Sequence, residues 1–320
     1  MRILIFGAGA VGQAAGCMLA ADGNSVDLIV RERFREKIQS DGLSVTGIFG
    51  DFHADPGNPG VYTSVENLSD KVFDYALITT KSYDTETAAI ELLKLRDQSF
   101  KVVSMQNGCG NLEIVEKHFG KDRTLGARVI TGFEIENPGI IKITVTADDI
   151  HIGDYDEGGI SKSAADFAET LNRAGLPCVT TRYIYRDLLA KLLYNCALNP
   201  LGAILGVHYG ALGDDPQARD IMNRIIDEVF AVIDSMGVKT HWDNADEYRS
   251  YFYSKQVPAT YNHRPSMLQD LENGKQTEVD ALTGYVSNQG KLFDIPTPIC
   301  DMLSAMVHFS ERNSRRKNEI

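Results

Sequence analysis

The sequence predicts an α/β fold: a doubly wound sheet over residues 1–181, followed by an all-helical domain over residues 182–320. Three observations predict it. A short apolar strand at the N-terminus runs directly into Gly7-Ala8-Gly9-Ala10-Val11-Gly12. Strand and helix patterns alternate through the first half, as strands joined by crossover helices do. After Arg182 strand patterns nearly vanish and helical periodicity replaces them. The first domain is therefore expected to be of the Rossmann type.

Each element follows from local pattern. Arg2–Phe6 has no polar gap in its apolar run, as a strand buried on both faces requires. An Ala-rich helix then runs to Ala21 and is stopped by Asp22-Gly23-Asn24. A strand over residues 25–30 closes a βαβ unit of about 30 residues. Further strands are expected at 74–80 and 101–105, with a helix over 84–95 between them. Residues 43–48 and 51–54 read as an inserted antiparallel hairpin. Residues 127–146, rich in β-branched side chains and broken by Asn137-Pro138-Gly139, read as antiparallel strands. A helix over 161–174 and a strand over 178–181 complete the domain. The helices expected beyond it span 183–198, 217–235, 276–292 and 299–309. The polar tail from 311 to 320 is expected to fray.

Composition narrows the function. The 320 residues are 43% hydrophobic and 24% charged, which is ordinary for a globular protein and foreign to disordered, collagen-like or coiled-coil chains. With 32 Lys and Arg against 44 Asp and Glu, the net charge is -12, and an acidic chain repels a nucleic-acid backbone. An anionic small molecule stays compatible, because a few cations suffice for a local pocket. No stretch approaches 18 apolar residues, so no membrane span is expected, and no cleavable signal peptide is apparent. Five scattered cysteines without a CxxC pair read as reduced thiols of a cytoplasmic protein, with neither disulfide framework nor metal site.

The chemistry starts at the glycine loop. Between a buried strand and a helix, Gly7 permits the tight turn, Gly9 lets backbone approach a pyrophosphate, and Gly12 permits close helix–strand packing. At the end of the second strand, where an acidic residue would bond an NAD ribose, stands Arg31. A guanidinium there suits a 2′-phosphate and favours NADP. The alternative is a solvated arginine opening the next helix, with Glu32 at the ribose. Thr79-Thr80-Lys81 and Gln106-Asn107-Gly108 end two later strands at the edge where such sheets bind ligands. Lys81 and Asn107 are therefore expected to face nicotinamide and substrate.

In the second domain, Lys191, Asn195 and Asn199 recur every four residues on an otherwise apolar helix and form one polar stripe. An unpaired buried lysine is costly, so the stripe is expected to line a cavity and Lys191 to act as general acid. The alternative is a lysine snorkelling at the helix rim. Downstream, Ser266 could bind a carboxylate, while spacing leaves Asp270, Glu278 and Asp280 equal as the second acid; the alternative is a solvated charged face.

Taken together, GAGAVG, TTKSYDT, MQNGCGN, AKLLYNCALNP and PSMLQDLENGKQTEVD resemble the ketopantoate reductase family over nearly the whole chain. The resemblance implies NADPH bound by the first domain and 2-dehydropantoate reduced to pantoate beneath the second. It implies a catalytic pair at Lys191 and Glu278, and substrate contacts at Asn107, Asn195, Asn199 and Ser266. It also implies cofactor contacts at residues 7–12, Arg31, Lys81, Asn107 and Glu278. The expected partner is a small 2-oxo acid, and a homodimer is admitted without being demanded. Two alternatives stand beside this reading: a reductase of another 2-oxo acid, and a non-catalytic NADP-sensing module. The aromatic run Trp242, Tyr248, Tyr251, Phe252, Tyr253 and Tyr261 would suit a lid over a larger acid.

Overall fold

The computed structural model describes residues 1–95 and 99–318, with side chains as far as Ser314. The chain divides into two compact units, one of Met1–Asn107 with Asn111–Tyr185, the other of Gly108–Gly110 with Arg186–Ile320.

The first unit holds two sheets. Its strands are β1 (Arg2–Phe6), β2 (Ser25–Ile29), β3 (Leu43–Gly47), β4 (Phe52–Ala54), β5 (Gly60–Tyr62), β6 (Tyr75–Ile78), β7 (Lys101–Ser104), β8 (Thr124–Arg128), β9 (Thr131–Asn137), β10 (Ile140–Thr146), β11 (Ile150–Asp154) and β12 (Cys178–Thr180). Its helices are α1 (Ala10–Ala21), α2 (Glu32–Asp41), α3 (Thr85–Leu92), α4 (Asn111–Phe119) and α5 (Lys162–Arg173). The large sheet runs β12-β11-β8-β7-β6-β1-β2-β5. Its strands pair in parallel except at β11–β8. β1 shows why the sheet is doubly wound. Ile3 and Ile5 point into the core that α1 and α5 cover, while Leu4 points into the opposite core beneath α3 and α4. A strand without a polar face needs both. Sequence order turns around β1, with β2 on one side and β6 on the other, and such switch points are where these sheets bind ligands.

The small sheet, β4-β3-β10-β9, corrects one expectation. The hairpin of β3 and β4 is antiparallel as expected, but it joins β10 in parallel, with Val45 opposite Ile141. The paired residues, such as Val45 and Ile141, stand 96 positions apart, a separation no local pattern reports. Residues 127–128 belong to β8 of the large sheet and pair antiparallel with β11, while β9 and β10 pair antiparallel with each other in the small sheet.

The second unit is helical: α6 (Ile184–Leu205, whose first two residues belong to the first unit), α7 (Tyr209–Asp214), α8 (Pro216–Ser235), α9 (Ala245–Tyr251), α10 (Val257–Ala259), α11 (Ser266–Glu272), α12 (Thr283–Leu292) and α13 (Pro298–Asn318). α8 opens with Pro216, and its N-cap Asp215 accepts from Ala218 N–H at 2.7 Å. Buried Glu228 on α8 in turn caps α13, accepting from the amides of Ile299 (2.8 Å) and Cys300 (2.9 Å). By length and composition α6 would also suit a membrane, although 78% of its apolar window is buried in the fold.

One further expectation is overturned. Residues 276–292 are not one helix: Val279–Ala281 form a 3-10 turn, and α12 starts only at Thr283, after Leu282 adopts φ -112°, ψ -108°. The cause is Glu311, whose carboxylate takes the amide and hydroxyl of Thr277 (2.7 Å each) and holds that stretch out of helical register. The same bonds fasten Glu311, the first residue of the polar tail. Glu311 is buried, and α13 continues to Asn318, while Glu319 and Ile320 lie outside the described residues. The aromatic segment is mixed: Tyr248 and Phe252 are fully buried and Trp242 packs edge-on against Tyr248 with ring centroids 4.7 Å apart, while Tyr251 and Tyr261 are exposed.

Candidate active site

The dinucleotide half of the site is built where β1 turns into α1. Gly7 adopts φ +115°, which L side chains rarely adopt, and a Cβ there would lie 2.7 Å from Thr80 N. A Cβ on Gly12 would lie 2.0 Å from Gly7 O, so only glycine lets the helix sit this close to the loop. Gly9 differs. Its nearest neighbour would be Thr79 O at 3.9 Å, so nothing inside the chain demands glycine there. Gly9 is exposed, and as N-cap of α1 it offers no side-chain cap. The first turn carries no acidic residue. Its N–H groups and the positive end of the helix are left for an outside anion, and the missing Cβ leaves room for one. These residues fit a pyrophosphate. Ala8 is buried, while Ala10 and Val11 are half-buried in the first turn.

Two buried residues brace this loop, and the sequence reading passed over their role. Gln13 donates to Ala8 O at 2.8 Å and accepts from Gly139 N–H at 3.0 Å. Thr79 Oγ1 donates to Gly7 O at 2.5 Å. The signal for Gln13 is a lone polar side chain in an otherwise apolar helix. Arg31 is the N-cap of α2, with its side chain 66% exposed and Nη2 3.4 Å from Asp84 Oδ2. So exposed a pair contributes little to stability and yields easily to a phosphate. Glu32 meanwhile faces Arg35 at 3.5 Å.

The carboxyl ends of β6 and β7 are tied together. Gln106 Nε2 donates to Thr80 O (3.1 Å) and Thr85 Oγ1 (2.8 Å), Thr85 Oγ1 donates to Asn111 Oδ1 (2.7 Å), and Asn111 Nδ2 donates to Asn107 O (2.9 Å). Half-buried Lys81 and exposed Asn107 thus leave the sheet from a rigid platform.

In the helical unit, α6 carries the polar stripe. Lys191 is half-buried, while Asn195 and Asn199 are 8% and 6% exposed. Asn199 and Ser266 meet, Nδ2 donating to Ser266 Oγ at 3.3 Å, and Asn199 Oδ1 accepts from Met267 N–H at 3.3 Å. Pro265 gives α11 no side-chain cap, so Asn199 serves as cap from a neighbouring helix and holds Ser266 in place. Glu278 lies just before the 3-10 turn and is 9% exposed. The glycine-rich segment after Asn107 belongs to this unit, and Cys109 N–H donates to Ala281 O at 2.9 Å. The stripe is one residue longer than expected. Asp187, four positions before Lys191 and 4% exposed, lies 2.6 Å from Nε2 of His241. Its four-residue spacing was the available signal.

A glycine loop at a switch point with an uncapped helix above it, and a lysine–amide stripe in a helical unit, define an oxidoreductase that uses a nicotinamide dinucleotide. Comparison with known proteins narrows the class. Family models described as ketopantoate reductase PanE/ApbA and its C-terminal part match residues 3–157 and 183–311. The 2-dehydropantoate 2-reductase of Aquifex aeolicus is 36% identical over 311 residues, 97% of either chain. The crystal structure of a ketopantoate reductase from Ralstonia eutropha JMP134 is 29% identical and superposes with a TM-score of 0.85 over 98% of this chain and 100% of that one. A ternary structure of D-mandelate dehydrogenase with NADH and anilino(oxo)acetate is 26% identical, TM-score 0.84, over 98% and 99%. The chain belongs to the ketopantoate reductase family.

Proposed function

We propose that this chain reduces 2-dehydropantoate to pantoate with NADPH. The observation that carries the reading is the stripe on α6, a cation and two amides on a helix otherwise buried, with the second amide fastened to Ser266. The reduced nicotinamide, when bound, supplies the hydride. Gly9 and the first turn of α1 hold the pyrophosphate, Arg31 exchanges its exposed pair with Asp84 for the 2′-phosphate, and Lys81 and Asn107 address the nicotinamide side. Lys191 donates a proton from Nζ to the oxygen that becomes the alcohol, stabilising the charge that develops there. Glu278 holds Lys191 and the substrate hydroxyl. Ser266, set by Asn199, and Asn195 bind the carboxylate.

A second reading has one observation behind it: the D-mandelate dehydrogenase structure holds NADH and a bulky 2-oxo acid analogue. In that case Arg31 stays with Asp84 and the substrate is larger. The relative at 36% identity favours the first reading. Initial rates with NADPH and NADH over 2-oxo acids of graded size separate the two. Sites built to bond a hydroxyl reject analogues lacking it by as much as about 10⁴-fold, so kcat/KM for 2-dehydropantoate should exceed that for 2-oxoisovalerate at least about a hundredfold. NADPH should bind at least about tenfold more tightly than NADH, as one charge-assisted hydrogen bond implies. An aromatic 2-oxo acid outperforming 2-dehydropantoate, with NADH as good as NADPH, establishes the second reading instead.

A further inference from the structure

Glu278 lies in the non-helical stretch between α11 and α12, and the chain on both sides of it is fastened to one turn of α13. On one side Thr277, 2% exposed, donates its N–H and its hydroxyl to Oε1 of Glu311, each at 2.7 Å. On the other, Asp280 Oδ1 lies 3.0 Å from His308 Nε2, and His308 Nδ1 lies 3.1 Å from Oε2 of the same Glu311. Within the stretch, Val279 N–H donates to Thr277 Oγ1 at 3.3 Å, and Ala281 N–H donates to Glu278 O at 3.0 Å.

The four side chains form a continuous chain, Thr277–Glu311–His308–Asp280, closed through the backbone that carries Glu278. Carboxylates only accept hydrogen bonds, so the imidazole satisfies both neighbours only with a proton on each nitrogen. The charged groups bearing on the ring are Asp280 from the turn and Glu311 from its own helix. Burial pulls the His308 pKa down, but the bonds and charges of Glu311 and Asp280 outweigh it and the net direction is up. For Glu311, burial pushes up, while the bonds from Thr277 and His308 carry the net direction down. The Thr277 end is the firm one, because Glu311 is 7% exposed whereas the side chain of Asp280 is 62% exposed.

We propose that Glu311 and His308 are positioning residues for Glu278, holding its turn from both ends without touching substrate. The proposal rests on the role given to Glu278 above.

The test combines kinetics with amide hydrogen exchange on the full chain. Glu311→Ala leaves both Thr277 donors unpaired. It should lower kcat/KM for 2-dehydropantoate by about tenfold or more, leave NADPH affinity within about twofold, and speed exchange over residues 277–282 by about tenfold. Glu311→Gln keeps an oxygen for Thr277 and should recover most of the loss. His308→Gln should lower kcat/KM about threefold and remove an alkaline-side inflection above pH 6.5 that the unmodified chain shows, since one bond is lost as His308 deprotonates. If Glu311→Ala does not fold, Glu311→Gln and His308→Gln carry the test. Faster exchange with parental kinetics overturns the positioning role, and unchanged exchange overturns the clamp. An unmodified chain that reduces no 2-oxo acid at all refutes the proposed function instead, and exchange then still judges the clamp.

Discussion

At the scale of single residues, the environment of Lys191 decides what it does. A lysine at the rim of a helix keeps its ammonium in water and its stem on apolar surface. Lys191 is half-buried, stands on the same face as two amides that are nine-tenths buried, and follows a buried carboxylate by one turn. Each of those neighbours is polar where packing alone would favour leucine, and the proposed function takes this stripe as the substrate-facing side of α6. Removal of the ammonium in Lys191→Ala should therefore lower kcat by about 10²–10⁴ while NADPH titrates as before. Circular dichroism must show an intact fold, because the stem also packs. A folded variant with near-normal turnover removes Lys191 from the chemistry.

Elements were legible in the sequence where one local pattern suffices. The strand Arg2–Phe6 and the helix Ala10–Ala21 stand where periodicity and Asp22-Gly23 put them. Elements set by distant partners were not. The stretch 276–282 has helical composition, and a carboxylate more than thirty residues later draws it out of the helix. Short pieces such as β5, α7 and α11 offer too few residues for a period to show. In the candidate site, the stripe on α6 was visible as spacing, whereas the use of Asn199 as a cap for α11 was not, since capping by another helix leaves no local signature. The β1–α1 turn yields the sharpest contrast. Gly12→Ala drives a methyl against Gly7 O and Thr79 Oγ1, at 2.0 and 2.5 Å, and should cost about 1–3 kcal/mol in urea unfolding. Gly9→Ala meets nothing closer than 3.9 Å and should cost at most about 1 kcal/mol. Yet it should weaken NADPH binding about tenfold or more, because its methyl would occupy the space proposed for the pyrophosphate. Parental NADPH affinity in Gly9→Ala puts the pyrophosphate elsewhere.

For the whole molecule, the first unit's two-sided core has a consequence for its thiols. All five cysteines are buried and free. Cys17 and Cys178 belong to one hydrophobic cluster although 161 positions separate them, Cys17 on α1 and Cys178 on β12. Burial pushes both thiols up to about 12, and burial likewise raises Cys196 and Cys300 in the helical unit. The thiolate is the reactive species, and at pH 8 these groups hold almost none of it while native. Iodoacetamide should leave Cys17 and Cys178 unlabelled in the native chain and modify them in urea, where both return to an ordinary thiol. Because they share one core, their labelling midpoints, read by mass spectrometry, should coincide within about 0.3 M urea, as a cooperative unit requires. Cys178 reacting at clearly lower urea than Cys17 means that the β11–β12 edge opens before the centre of the sheet. The cluster that Cys17 and Cys178 share is then two cooperative parts instead of one.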